Sequence, residues 1–295
     1  MRDHGPVLTR RDFIRGTIGL TIGTSILGIK WPHAEARTPR SSLVTIVRDE
    51  KAMDASFKVD TTILKKMLEE TLTKVTRQKN IKEAWLSLVN PGDTIGLVPS
   101  PALNPTHEEV VDAVKESLMA GGIPDGNILE MERRGSLEKV KRCTALIGLP
   151  GLKAHWLTGI GTVIKNYIMF SGRPRDYHYS DSAKLGEIWT LPFLKGKTKL
   201  ILVDSLYPLC DRGPQVDPRY KWAYHGLIAG TDPVAVETVC LKIIEAKREA
   251  IKGEPWPLSP PPLCVEAADK VYGLGTSRME EIKIEHYGWE KDLLV

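Results

Sequence analysis

Between Leu152 and Tyr179 the chain reads LKAHWLTGIGTVIKNYIMFSGRPRDYHY. Lys153, His155, Lys165, Asn166, Arg173, Arg175 and His178 stand there among glycines and large apolar residues. A solvated face would not carry so much Ile, Val, Met and Phe, and a core element would not carry so many donors. Amines, imidazoles and an amide in such company can bind an anion, ligate a metal or move protons. Gly159 and Gly161 precede Thr162 to Phe170, which reads as a helix. The N–H groups of a glycine-rich turn and a helix start can cradle an anion, with Lys153 adding charge. Lys165 and Asn166 follow one turn later. His155 and Lys165 are therefore the candidate catalytic groups, and His155 with His178 the candidate ligands of a single metal ion. The competing reading is packing: glycines for close approach, and His155 beside Trp156 as a satisfied core histidine.

Elements must bring these groups together. Leu43 to Val47, Thr94 to Val98, Asn127 to Met131, Ala145 to Leu149, Leu200 to Val203 and Leu227 to Ala229 read as strands. Helices are predicted over Thr61 to Val75, Ile81 to Val89 and Val234 to Glu249, and from Thr106, where Thr106-His107-Glu108-Glu109 has capping-box spacing. Thr231-Asp232-Pro233 reads as a helix cap with proline in the first turn. The alternation predicts an α/β fold, a mainly parallel sheet with helices on both faces, in a single large domain. Ligands of such sheets sit beyond the carboxyl ends of the strands. The strand ending at Leu149 runs straight into Lys153 and His155. The strand through Val203 leads to Asp204 and then Arg212, and the strand through Ala229 leads to Asp232. All three strand ends are expected at one rim, making Lys153, Asn166, Asp204, Arg212 and Asp232 candidate ligand-binding residues. Lysine and arginine would there balance the carboxylates and leave room for an anion.

The start of the chain carries a different signal. Thr9-Arg10-Arg11-Asp12-Phe13-Ile14 is a twin-arginine pattern, and Gly16 to Ile29 is uncharged and mildly apolar. Ala34-Glu35-Ala36 offers small residues where a signal peptidase reads them. Fourteen uncharged residues, four of them glycine, are too few and too polar to span a bilayer. Residues 1–36 are thus expected to be a signal recognised by the twin-arginine translocase through Arg10 and Arg11. The domain would occupy residues 37–295 and reside in the periplasm, or otherwise outside the cytoplasm, with no stable membrane span. That route carries folded proteins, as suits a chain that binds a cofactor or travels with a redox partner.

Composition narrows the functions. The chain has 41 Lys and Arg against 37 Asp and Glu, a formal net charge of +4. Five of those cations and three of the anions fall in residues 1–36, so the rest is nearly neutral. Nucleic acid is not an expected partner. Cys143, Cys210, Cys240 and Cys264 are scattered, with no C-x-x-C pair, so no iron–sulfur cluster is expected from this chain alone. Disulfides between them remain open in an oxidising compartment.

Three blocks, LKAHWLTGIGTVIKN, VDSLYPLCDRGPQVDPRYKW and GLIAGTDPVAVETV, resemble those of the domain of unknown function 362 family. THEEVVDAV and PPPLCVEAADKVYGLG extend the likeness over roughly residues 43–287. Lys153, His155, Gly159, Lys165 and Asn166 match the family's central pattern, and His178 matches a later histidine. The chain departs from relatives that carry a ferredoxin-like cysteine module. The resemblance supports the site and assigns no reaction. The expectation is a polar pocket for an anionic ligand, cofactor or metal, in a protein associated with redox chemistry. The alternative is a non-catalytic binding or maturation protein exported with a redox partner.

Overall fold

The computed structural model describes residues 41–101, 103–131 and 136–295. The expected signal with Arg10 and Arg11, and its boundary after Ala36, lie outside the described residues. In chain order the elements begin with β1 (Ser42–Arg48), α1 (Thr61–Thr76), α2 (Ile81–Leu88), β2 (Ile95–Pro99), α3 (Glu108–Ala120) and β3 (Ile128–Glu130). Next come α4 (Ser136–Arg142), β4 (Ala145–Leu149), β5 (Gly151–His155), β6 (Gly159–Ile160), a 3-10 helix (Ile164–Ser171) and α5 (Leu185–Trp189). The chain closes with β7 (Thr198–Leu209), β8 (Gly226–Gly230), α6 (Pro233–Lys252), α7 (Leu263–Lys270) and β9 (Ile282–Gly288).

Among the described residues the strands form one nine-stranded sheet, in the order β3-β2-β4-β7-β8-β1-β9, with β5 beside β7 and β6 beside β5. β2, β3, β4, β5 and β7 run parallel, as do β1 and β9. β8 is antiparallel to both of its neighbours, β7 and β1. The central strands are near-continuous apolar runs because both faces are covered. Period-two alternation divides their side chains between two cores. Leu200 and Leu202 join Leu227 and Ala229 in the cluster that buries Leu64, Leu68 and Leu72 of α1 and Val110 and Val114 of α3. Ile201, Val203 and Ile228 face the other way, toward Val236, Val239 and Ile243 of α6. The fold is therefore α/β with a mainly parallel sheet and helices on both faces. No described helix is long and apolar enough to cross a membrane.

Local chemistry explains three of the helix starts. Asp60 caps α1, accepting from Thr62 N at 2.9 Å and Ile63 N at 3.0 Å. Asn80 caps α2 by accepting from Glu83 N at 2.9 Å. Asp232 caps α6 as the Thr-Asp-Pro pattern predicts. The box at Thr106 is different. The helix opens at Glu108 after His107, with no side-chain cap. Thr106 Oγ1 donates instead to Leu149 O at 2.5 Å and accepts from Ser100 N at 2.9 Å. A buried carbonyl at the end of β4 competes for that hydroxyl and takes it.

Three further expectations change with the strand pairing. The strand expected to end at Val203 runs on: β7 is twelve residues long, and its second half pairs with β5, Gly151 opposite Asp204 and Lys153 opposite Leu209. The segment expected to be a helix from Thr162 winds as a 3-10 helix from Ile164. Most consequentially, β8 runs antiparallel to β7, with Ile201 opposite Gly230 and Ser205 opposite Gly226. Asp232 therefore leaves the sheet at the end where β7 enters it, not at the rim that carries Asp204.

Candidate functional site

The rim that remains is built by the ends of β2 and β4 and the middle of β7. Pro150 O accepts from Asp204 N at 2.9 Å, which pins the β4–β5 junction to β7. Ser100, just past β2, accepts from Gly151 N at 3.1 Å and donates to Asn166 Oδ1 at 3.2 Å. Asn166 Nδ2 donates to Val98 O at 2.7 Å. The Asn166 amide thus latches the 3-10 helix onto β2. β5 holds Lys153 and His155 on the same side, each almost fully buried at 6% and 7% exposure. Gly161 packs directly over the His155 side chain: a Cβ there would lie 3.0 Å from His155 Cβ, tight enough that the imidazole would have to shift.

These elements enclose a cavity of about 150 Å³. Its polar lining is Ser100, Lys153, His155, Lys165 and Asn166, and Leu103, Ile168, Met169 and Pro214 supply an apolar wall. On the far side of His155 lies a second depression of about 160 Å³, bordered by Trp156, Asp211 and Arg212.

Electrostatics distinguish the groups. Burial holds the Lys153 amine down to about 7; Lys165 and Lys221 push the same way, and Asp204 and Glu237 oppose. Among the described residues the Lys153 amine has one hydrogen bond, to Asn104 O at 3.1 Å. Burial lowers Lys165 to about 8, and neither a hydrogen bond nor an ion pair reaches its amine among the described residues. His155 is pushed down to about 2 by burial, then by Lys165, His178 and Lys153. Its Nδ1 accepts from Leu157 N at 3.1 Å, which fixes the neutral ring with its proton on Nε2.

The metal expectation fares poorly on this geometry. His155 and His178 face one another with ring centroids 6.0 Å apart and planes 8° from parallel. His155 Nδ1 is already engaged, and two lysines raise the local potential against a cation. Among the described residues no group of three His, Cys, Asp or Glu side chains is placed to hold a metal ion. The four cysteines are buried and free.

The other expected residues are spread out. Asp204, 4% exposed, belongs to His107: its Oδ2 accepts from His107 N at 2.8 Å and meets His107 Nδ1 at 2.7 Å. Burial would raise the Asp204 carboxyl, but His107 pulls it below the ordinary value. Asp232 accepts from Val234 N and Ala235 N at 2.9 Å, from Ser42 Oγ at 2.7 Å and from Thr276 N at 3.1 Å, a structural cap away from the cavity. Arg212 is largely exposed beside Asp211 and Asp217, at 3.8 and 3.7 Å, and borders the second depression. Arg173 and Arg175 are exposed. Lys165 balances no carboxylate among the described residues, contrary to the expected pairing.

The largest revision concerns the glycine-rich turn. The fully buried Glu237 of α6 takes the N–H groups at the start of the 3-10 helix, and Gly161 N donates to Lys153 O. Glu237 Oε2 accepts from Val163 N and, at 2.8 Å, from Ile164 N. Burial raises this carboxyl to about 7, against the pull of those N–H groups and Lys153. Sequence reasoning missed Glu237, though a carboxylate inside Val234-Ala235-Val236-Glu237-Thr238-Val239-Cys240 was a visible signal. It also missed His107, Asn104 and Lys221, the last of which donates to Asn104 Oδ1 at 3.0 Å. Nothing in their local spacing marks them.

No curated protein and no solved structure matches this chain significantly. A family model described as Domain of unknown function (DUF362) matches residues 110–242, a narrower span than the resemblance over 43–287. The match includes Lys153, His155, Lys165, Asn166, Asp204 and Glu237, and it leaves Ser100, Asn104 and His107 outside. Over residues 110–242 this chain is therefore similar to the Domain of unknown function (DUF362) family.

Proposed function

We propose that the cavity between β5 and the 3-10 helix binds a small anionic ligand with an apolar portion. One observation carries this reading: the buried Lys153 and the half-buried Lys165 line one small cavity, and neither amine forms an ion pair among the described residues. Buried charges ordinarily find partners within the protein. Here the bound anion supplies the partner, the Leu103, Ile168 and Met169 wall receives the apolar portion, and the His155 N–H donates a hydrogen bond. A volume of about 150 Å³ is below the ~300 Å³ at which pockets for drug-sized ligands begin, so the ligand has only a few heavy atoms. An anion is favoured over a metal because the surrounding field is positive. Titration of the purified full chain with lactate or inorganic phosphate in a calorimeter tests this. Saturable binding lost in Lys165→Ala supports the reading, and binding that is absent or unchanged in the variant refutes it.

Delivery out of the cytoplasm by the twin-arginine translocase is part of the same proposal, supported by Arg10, Arg11 and the uncharged stretch after them. An Arg10→Lys, Arg11→Lys double variant is expected to stay in the cytoplasm on fractionation. Normal export of that variant would remove the assignment. A redox-associated role, as enzyme or as co-exported binding protein, rests on this export route alone, and co-purification of a redox partner with natively exported protein tests it.

A further inference from the structure

We propose that Lys153 is a nucleophile that condenses with the carbonyl group of a small 2-oxo acid, forming an imine inside the cavity while Lys165 holds the acid's carboxylate. The inference rests on the anion-binding reading and adds a covalent step to it.

The geometry favours this role over simple charge pairing. Lys153 projects from a strand, so its stem is fixed by packing, and its backbone is locked between Thr162 Oγ1 at 3.1 Å and Gly161 N at 2.9 Å. Its amine reaches the cavity wall with one neutral carbonyl, Asn104 O, as partner, so one N–H is anchored and the lone pair is free when the amine is neutral. The charged groups around it are Lys165 and Lys221 on one side of the balance and Asp204 and Glu237 on the other. Asp204 is engaged by His107, whereas Glu237 spends Oε2 on Val163 and Ile164 and leaves its buried Oε1 without a hydrogen-bond partner; among the described residues neither carboxylate forms an ion pair with Lys153. Two ammonium groups in one small cavity repel, and the more buried amine gives up its proton. A desolvated lysine beside a second cation is the arrangement that activates an amine toward carbonyls.

The step balances without an outside reagent. The Lys153 nitrogen lone pair attacks the carbonyl carbon, a C–N bond forms, and the C=O π electrons move to oxygen. A Lys165 proton goes to that oxygen, and Lys165 recovers a proton from nitrogen, giving a carbinolamine. A second relay of the same kind breaks the C–O bond, releases water and leaves the C=N bond. An ammonium has three N–H donors, so Lys165 can hold the carboxylate with one and relay with another. The His155 Nε2–H is available to the oxygen that develops charge.

Reductive trapping of the purified full chain tests the step, using pyruvate as the probe and cyanoborohydride as the reductant, with peptide mapping by mass spectrometry. The expected product is one secondary amine at Lys153, absent from Lys153→Arg and Lys153→Met. Lys165→Met should slow trapping by about 100-fold, the low end of acid–base contributions. No reductant-dependent adduct, or adducts spread over exposed lysines such as Lys184, would overturn the proposal. The wild-type peptide map decides this even if the Lys153 variants fail to fold. Wild-type protein that binds lactate but traps no pyruvate refutes the imine alone, whereas protein that does neither refutes the anion pocket as well.

Discussion

Two kinds of buried cation occur in this molecule, and the chain treats them differently. Arg248, 2% exposed, donates to Trp256 O at 2.8 Å, Cys210 O at 2.9 Å, Pro257 O at 3.1 Å and Asp211 Oδ1 at 2.6 Å, and lies 3.9 Å over the Trp256 ring. Arg48 is handled in the same way, with Tyr224 O and Lys291 O each at 2.7 Å and aromatic rings of Tyr224 and Trp289 on its guanidinium. Lys153 has one carbonyl, and Lys165 has none among the described residues. A guanidinium cannot give up its proton, so the fold must surround it with acceptors. An amine can go neutral, so it tolerates burial without them. The arginines staple loops to the sheet, and the lysines leave unspent hydrogen-bonding capacity facing a cavity.

The comparison can be broken most forcefully at Arg248. Arg248→Met should cost about 3–5 kcal/mol of unfolding free energy in urea titrations, because it strands Asp211 and three carbonyls. A loss below about 1 kcal/mol would show that these acceptors are satisfied otherwise. Lys153 should affect stability through pH. Burial holds its folded amine near 7, below the ordinary 10.5, so between those values the unfolded chain binds a proton that the folded chain lacks. Stability of the wild type relative to Lys153→Met should therefore rise with pH across that window, by at most about 1.4 kcal/mol per pH unit. A difference that stays flat from pH 7 to 10 would mean the amine remains charged in the fold.

Smaller effects sharpen the contrast. Lys165→Ala should change stability by no more than about 1 kcal/mol while weakening anion binding tenfold or more, a separation that calorimetry and urea titration together can see. Asp232→Ala should do the reverse, costing about 1–2 kcal/mol through the lost cap of α6 and leaving anion affinity unaltered. Lys184, exposed and paired with Asp181 at 2.8 Å, provides the baseline. Lys184→Ala should leave both melting temperature and anion affinity unchanged.

Much of the fold is written locally. Asp60, Asn80 and the Thr-Asp-Pro triplet announce their helices, because a cap needs only the next three residues. The apolar runs at Ala145 to Leu149 and Leu200 to Val203 announce covered strands. The concentration of amines and imidazoles between Lys153 and His178 was likewise legible, since polar groups among large apolar residues stand out in any register. The capping box at Thr106 was misleading because its hydroxyl had a distant, buried competitor in Leu149 O.

What the sequence determined by itself was the α/β alternation, the caps and the identity of one polar, glycine-rich segment, all properties of neighbouring residues. Only the tertiary structure decided which end of the sheet each carboxylate reaches and which charge meets which partner. The reversed direction of β8 removed Asp232 from the rim. Glu237, 74 residues beyond Val163, took the helix-start N–H groups that an outside anion was expected to take. His107 claimed Asp204 across 97 residues. Burial makes such pairings compulsory, but strand order and direction choose the partners, and the choice left two amines facing the cavity without a carboxylate among the described residues.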